Sequence, residues 1–146
     1  MLVDWTEKYV QSRDAAYKNI EKIEKKGNSF VVTNISTSIG SGFKKQVVAK
    51  IITYFPIGEL VLEILKEVPS DSVLVVFNTQ KNLSILSKNF DEFAKNQTLK
   101  IIFVNLTTND SWQIVPYRHL SLSKMVGGDI KTGLLSLFET VPEYLG

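Results

Sequence analysis

Two kinds of hydrophobic pattern alternate along this chain, and their succession predicts its architecture. Between residues 4 and 26, Trp5, Tyr9, Ala16, Ile20 and Ile23 recur near helical spacing, and Gly27 stands where a helix-ending glycine belongs. From residue 29 onward, short apolar runs alternate with amphipathic stretches. Phe30 to Ile35, Val73 to Phe77 and Leu99 to Leu106 are the runs. Between them the spacing predicts a helix from Phe43 to Phe55 and a second one through Lys66, with Pro56 in its first turn, where proline is tolerated. Pro69-Ser70-Asp71 then turns the chain. Thr79 can cap a helix carrying Leu83, Leu86, Phe90 and Phe93 on one face.

Unbroken rather than alternating runs mark strands covered on both faces, as in a parallel sheet enclosed by helices. After Leu106 the pattern weakens. Trp112 to Val115 reads as a short strand ended by Pro116, and Leu120 to Val126 as a further strand or irregular segment. Gly127-Gly128 breaks the chain, and Asp129 can cap a last helix from Ile130 to Leu137. The expectation is a single α/β domain over residues 1–146: an N-terminal helix over 4–26, then a sheet-and-helix core over 29–146. That core is expected to be three-layered, with a mostly parallel sheet and helices on both faces.

Composition narrows the function. Hydrophobic content of 44% with 22% charge suits a globular domain. No apolar run approaches the roughly 20 residues of a membrane span, and Leu2, Asp4 and Glu7 do not form a signal-peptide pattern, so a cytoplasmic location is expected. The absence of cysteine removes disulfides, thiolate metal sites and cysteine nucleophiles together. Of the 17 Lys and Arg residues only Arg13 and Arg118 are arginines, and the net charge is +2. Phosphate and base recognition favour the planar arginine fork, so the balance argues against a nucleic-acid partner. The dispersed lysines read as solvated faces.

The candidate chemistry begins after the first apolar run. Ser36-Thr37-Ser38-Ile39-Gly40-Ser41-Gly42 is a loop of small hydroxyl and glycine residues, followed by Phe43-Lys44-Lys45. A strand, a glycine-rich loop and a helix together make an anion cradle, because free N–H groups of the first helical turn point at the loop's occupant. The candidate anion site is therefore Ser36, Thr37, Ser38, Gly40, Ser41 and Gly42, with Lys44 and Lys45 beside them. The spacing departs from the P-loop fingerprint. Phe43 separates Gly42 from Lys44, and Thr37 stands where the first glycine belongs. Open α/β sheets bind ligands beyond the carboxyl ends of their strands. Those ends add Asn78, Thr79, Thr107, Asp110 and Trp112 as cleft candidates. Asp110 is the one carboxylate among them, too few for a hydrolytic magnesium site, which needs hard oxygen ligands.

The succession from Phe30 to Leu106 resembles the first half of a RecA-like P-loop ATPase domain. The matching segments are Phe30 to Lys50, Val73 to Phe77, Asn82 to Lys95 and Ile101 to Leu106. The resemblance implies that Lys44 or Lys45 corresponds to the P-loop lysine. Asn78 and Asn105 end strands where the family places a magnesium-positioning aspartate. It therefore implies a degenerate copy without nucleotide hydrolysis.

The remaining chemistry is sparse. His119 is the sole histidine, so a histidine-rich metal site is excluded and no metal or cofactor is expected. No G-x-S-x-G elbow surrounds Ser36, Ser38 or Ser41, whose hydroxyls suit backbone capping. Asp91 and Glu92 are adjacent on their helix and do not converge. Three functions remain. The first is a non-catalytic interaction module acting through a protein partner or as a homodimer. The second is a nucleotide or small-anion sensor using the Ser36–Gly42 loop. The third, ranked last, is a hydrolase or transferase using Ser38 or His119.

Overall fold

A 16-residue helix, α1 (Leu2–Tyr17), opens the chain and buries Leu2, Thr6 and Val10, one residue per helical turn. Thr6 is tolerated on that inner face because its hydroxyl donates to the Leu2 carbonyl at 2.8 Å. The computed structural model describes residues 1–17, 20–39 and 45–146, with side chains described outside 13–21 and 34–49. Helical periodicity overshoots here, for Ile20–Lys26 form strand β1 rather than a continuation of α1. Gly27, expected as a helix cap, instead begins the two-residue turn joining Lys26 to its partner Ser29. Its φ of 60° supplies the left-handed conformation that such tight hairpins require.

β2 (Ser29–Ile39) and β3 (Lys45–Gly58) pair antiparallel from Phe30↔Tyr54 out to Ile39↔Lys45. This corrects the helix expected over 43–55: the described part of that stretch, from residue 45, is strand. Val47, Val48, Ile51, Ile52 and Thr53 are β-branched, and such residues fit a pleated ladder better than a helix. Pro56 lies in β3 rather than at a helix start, beside the register shift between Pro56 and Gly58 in the pairing with β4. Gly58 is required there on two counts. Its φ is 74°, and a Cβ would lie 2.8 Å from the Phe77 ring. The helix expected through Lys66 is a single 3-10 turn, Leu62–Lys66.

β4 (Ser72–Phe77) and β5 (Lys100–Asn105) follow as expected, parallel to β3 and to each other. β6 (Asp110–Ile114) pairs antiparallel with β5, and the described strand order is β1-β2-β3-β4-β5-β6. The sheet is mixed. β1, β3, β4 and β5 share a direction, while β2 and β6 run against it. Between β4 and β5 the chain forms α2 (Gln80–Lys88) and α3 (Phe90–Ala94), separated at Asn89, where one helix was expected. The segment read as strand or irregular over 120–126 belongs to α4 (Pro116–Val126). Pro116 starts that helix and Gly127, at φ 69°, ends it. α5 (Ile130–Phe138) completes the chain's helices and is capped by Asp129, which accepts from the Lys131 N–H at 3.2 Å. No helix among the described residues is long and apolar enough to cross a membrane.

Successive strand residues feed two apolar clusters, as a pleat requires. Val73, Val75, Ile102 and Val104 pack with Leu2 and Val10 of α1 and with Phe30, Val32 and Tyr54. Leu74, Val76, Ile101 and Phe103 pack with Leu83, Leu86, Phe90, Phe93, Leu134 and Phe138 of the later helices. β4 is consequently buried from Ser72 to Val76, which is why its sequence is an unbroken apolar run.

Candidate functional site

The carboxyl ends of β4 and β5 meet where a ligand crevice was expected, and the chain's own last residues fill it. Asn78, immediately after β4, is fully buried and satisfied on every side. Its Nδ2 donates to the Val141 and Pro142 carbonyls, each at 3.1 Å, and its Oδ1 accepts from the Trp112 indole at 2.8 Å. Its backbone N–H donates to the Val104 carbonyl, and its carbonyl accepts from the Tyr144 N–H, both at 2.8 Å. Asn105, at the end of β5, donates to the Pro142 carbonyl at 2.9 Å. These two asparagines bind a backbone segment, a task for which a neutral amide supplies the donor that an aspartate lacks.

The same tail occupies the start of α2. Thr79 caps that helix as expected, accepting from the Asn82 N–H at 3.2 Å. Glu143 adds a carboxylate, accepting from the Gln80 N–H at 2.8 Å. Tyr144 stacks on Phe77 with ring centroids 4.9 Å apart. A helix N-terminus attracts negative charge, and here Glu143 supplies it from within the chain. Asn82, whose role the sequence did not disclose, closes the adjacent corner. It accepts from the Leu60 N–H at 2.9 Å and donates to the Gly58 and Phe77 carbonyls at 2.9 and 2.8 Å.

The other cleft candidates separate. Trp112 is a core residue, 6% exposed and stacked on Phe103 at 4.2 Å. Thr107 is exposed, and its N–H and that of Thr108 donate to Asn105 Oδ1 at 2.9 and 3.1 Å, closing the β5–β6 turn. Asp110 is exposed at the start of β6, paired with Asn105 across the ladder. Of the cleft candidates, Asn78, Thr79 and Trp112 therefore meet around the filled crevice, and Thr107 reaches it only through Asn105.

The candidate anion loop is rearranged where it is described. Ser36, Thr37 and Ser38 are ladder positions in β2, opposite Val48, Val47 and Gln46, and Lys45 is the first residue of β3. No helix begins at residue 45, so the described flanks form a hairpin and not a strand-loop-helix cradle. Gly40, Ser41, Gly42 and Lys44 lie outside the described residues.

His119 lies under α5 and also borders a shallow cleft that Gln113, Arg118 and Leu122 line with it. Its ring meets Phe90 edge-on at 5.7 Å, and Gly133 leaves room for it, since a Cβ there would lie 3.1 Å from Cε1 and Nε2. Nε2 is buried without a hydrogen-bond partner among the described residues, and burial pushes the imidazole below its ordinary value of 6.5. Among the described residues no three His, Asp or Glu side chains converge on a common metal position. Comparison with protein-family models, with curated proteins and with solved structures finds no match to this chain.

Proposed function

We propose that this chain is a non-catalytic interaction module working through self-association. The observation that carries this reading is the filled crevice. The groups best placed to bind a ligand, Asn78, Asn105 and the start of α2, are saturated by residues 141–144. Side chains spent on internal bonds hold the fold and leave outward-facing surfaces for function. Leu122, Met125 and Val126 supply such a surface at the end of α4. They are 60%, 82% and 78% exposed and fall within one helical turn. β6 offers a second one, for it pairs only with β5 among the described residues and leaves an open edge.

A RecA-like ancestry is a separate proposal, resting on the parallel strands over 73–77 and 101–105, and the association reading does not depend on it. Light scattering across a concentration series tests the association. The parent protein is expected to give a dimer mass, and Leu122→Lys with Met125→Lys is expected to return it to monomer with unchanged circular dichroism. A parent that stays monomeric at every concentration overturns the reading.

A further inference from the structure

The two edges of the sheet are defended unequally. β1, at one end of the strand order, carries Glu21, Lys22, Glu24, Lys25 and Lys26 along its length. Its pairing with β2 is also interrupted by the register shift between Ile20 and Lys22. Charges and bulges of this kind keep another strand from adding to an edge. β6, at the other end, has neither defence. Its sequence Asp110-Ser111-Trp112-Gln113-Ile114 holds a single charge, at the first position. Its register with β5 is continuous from Ile101↔Ile114 to Asn105↔Asp110.

Strand alternation sorts the side chains of this open edge. Trp112 and Ile114 are buried in the cluster of the later helices, so Asp110 shares their side of the sheet. Ser111 and Gln113 belong to the other side and are exposed. α4 lies on the Trp112 side, where its Leu120 packs against the same cluster. A shallow cleft lined by Gln113, Ile114, Arg118 and Leu122 connects the edge to α4. The apolar patch that Leu122 begins is therefore continuous with the edge. Asp110 and Arg118 are both exposed, and neither forms an ion pair among the described residues.

We propose that β6 pairs antiparallel with β6 of a second copy of this chain, centred on Trp112, and so joins two sheets into one. The proposal rests on the self-association reading and gives it a geometry. A two-fold axis at Trp112 sets Ser111 opposite Gln113 of the second copy, and Asp110 opposite Ile114 of the second copy. Each unpaired Asp110 then comes to the end of the edge where the other copy's unpaired Arg118 stands. The two carboxylates remain roughly 13 Å apart, four strand steps. The same axis keeps both α4 helices on one side of the joined sheet, with their apolar patches flanking the joint. They supply area that a five-residue edge lacks, since a stable dimer buries about 1,200–2,000 Å². Pairing of this kind also closes, because it consumes both open edges and leaves only the charged β1 edges outside.

The test is sedimentation equilibrium of the full chain and of two charge variants at exposed positions. Ser111→Lys with Gln113→Lys sets like charges opposite each other across the joint, and Ser111→Lys with Gln113→Glu sets opposite ones. The first is expected to raise the dimer dissociation constant by about tenfold or more, and the second to leave it within about threefold of the parent. Equal constants for the two variants, with a dimeric parent, overturn the joint and leave self-association standing. A parent that is monomeric at every concentration overturns both. A cross-link keeps the test valid if a charge variant does not fold. The chain has no cysteine, so Ser111→Cys and Gln113→Cys each carry one thiol. Directly opposite positions lie about 4.5–5.5 Å apart at Cβ, whereas each position lies about 7–8 Å from its own copy, beyond disulfide reach. Oxidising an equimolar mixture should give mainly the mixed disulfide, resolved by intact mass. Self-disulfides in equal or greater yield overturn the pairing.

Discussion

Asn78 and His119 show opposite ways of placing a polar side chain inside this molecule. Asn78 makes three side-chain hydrogen bonds that tie β4, β6 and the tail together. Replacing it with Ala strands the Trp112 indole and the Val141 carbonyl, while the Pro142 carbonyl keeps its bond from Asn105. Each stranded group costs roughly 1–3 kcal/mol, so a loss of at least about 2 kcal/mol in urea unfolding is expected for Asn78→Ala. A loss under about 0.5 kcal/mol would contradict the bonding described, since that is the range of an ordinary surface change. His119 is the converse case, with Nε2 buried and unpartnered among the described residues. Burial lowers its folded pKa, so just below pH 6.5 the unfolded chain binds more protons than the native one. Stability therefore falls as pH drops from 6.5 towards the folded pKa and levels off beneath it. The part of the midpoint-versus-pH slope that belongs to this group should vanish in His119→Gln. An identical slope in that variant would remove His119 as the cause.

At the scale of elements, what could be read from the sequence was set by how uniquely each pattern maps to a backbone. β4 and β5 were legible because unbroken apolar runs bounded by turn residues fit strands buried on both faces. The caps Thr79 and Asp129 were legible because a side-chain acceptor before a helix acts locally. β1 was not, and its ladder shows why. The register shift between Ile20 and Lys22 sets Ile20 against Asn34 and Ile23 against Val32, two steps apart on β2. A bulge thus places residues three apart on one side of a strand, imitating helical spacing. β3 was hidden for another reason: Val47, Val48, Ile51, Ile52 and Thr53 favour a strand, but the glycine-rich segment before them suggests a strand-loop-helix unit. Least visible was the tail. Val141-Pro142-Glu143-Tyr144 has no motif, and its partners Asn78, Asn105 and Gln80 lie far back in the chain. Glu143 nevertheless lends charge to the start of α2. Glu143→Gln is expected to cost about 0.3–1 kcal/mol at low ionic strength, less as salt is added. A loss independent of salt would mean that the contact works by shape and not by charge.

For the whole molecule, residues 141–144 act as the closing piece of the sheet's carboxyl end. Val141 is 5% exposed in the cluster formed by the later helices, and the carbonyls beside it saturate asparagines on two adjacent strands. The segment joins the last helix to the central strands, so its removal should be felt beyond its own contacts. Ending the chain at Thr140 leaves Asn78 and Asn105 without their tail acceptors, at roughly 1–3 kcal/mol each. It also removes the buried Val141 side chain from the cluster of the later helices, a loss of about 1.5–3 kcal/mol. These sum to a sizeable share of the 5–15 kcal/mol typical of a domain. A melting temperature lower by on the order of 10 °C is expected, at about 2–4 °C per kcal/mol for a chain of this size. Trp112 reports the same event independently, because its indole is held by Asn78 and shielded beneath the tail's partners. Acrylamide should quench its fluorescence more strongly in the shortened chain than in the parent, with Trp5 as an internal background common to both. A shortened chain with the parent's melting temperature and quenching would show that the crevice closes without its tail, and would remove the main support for an interaction module.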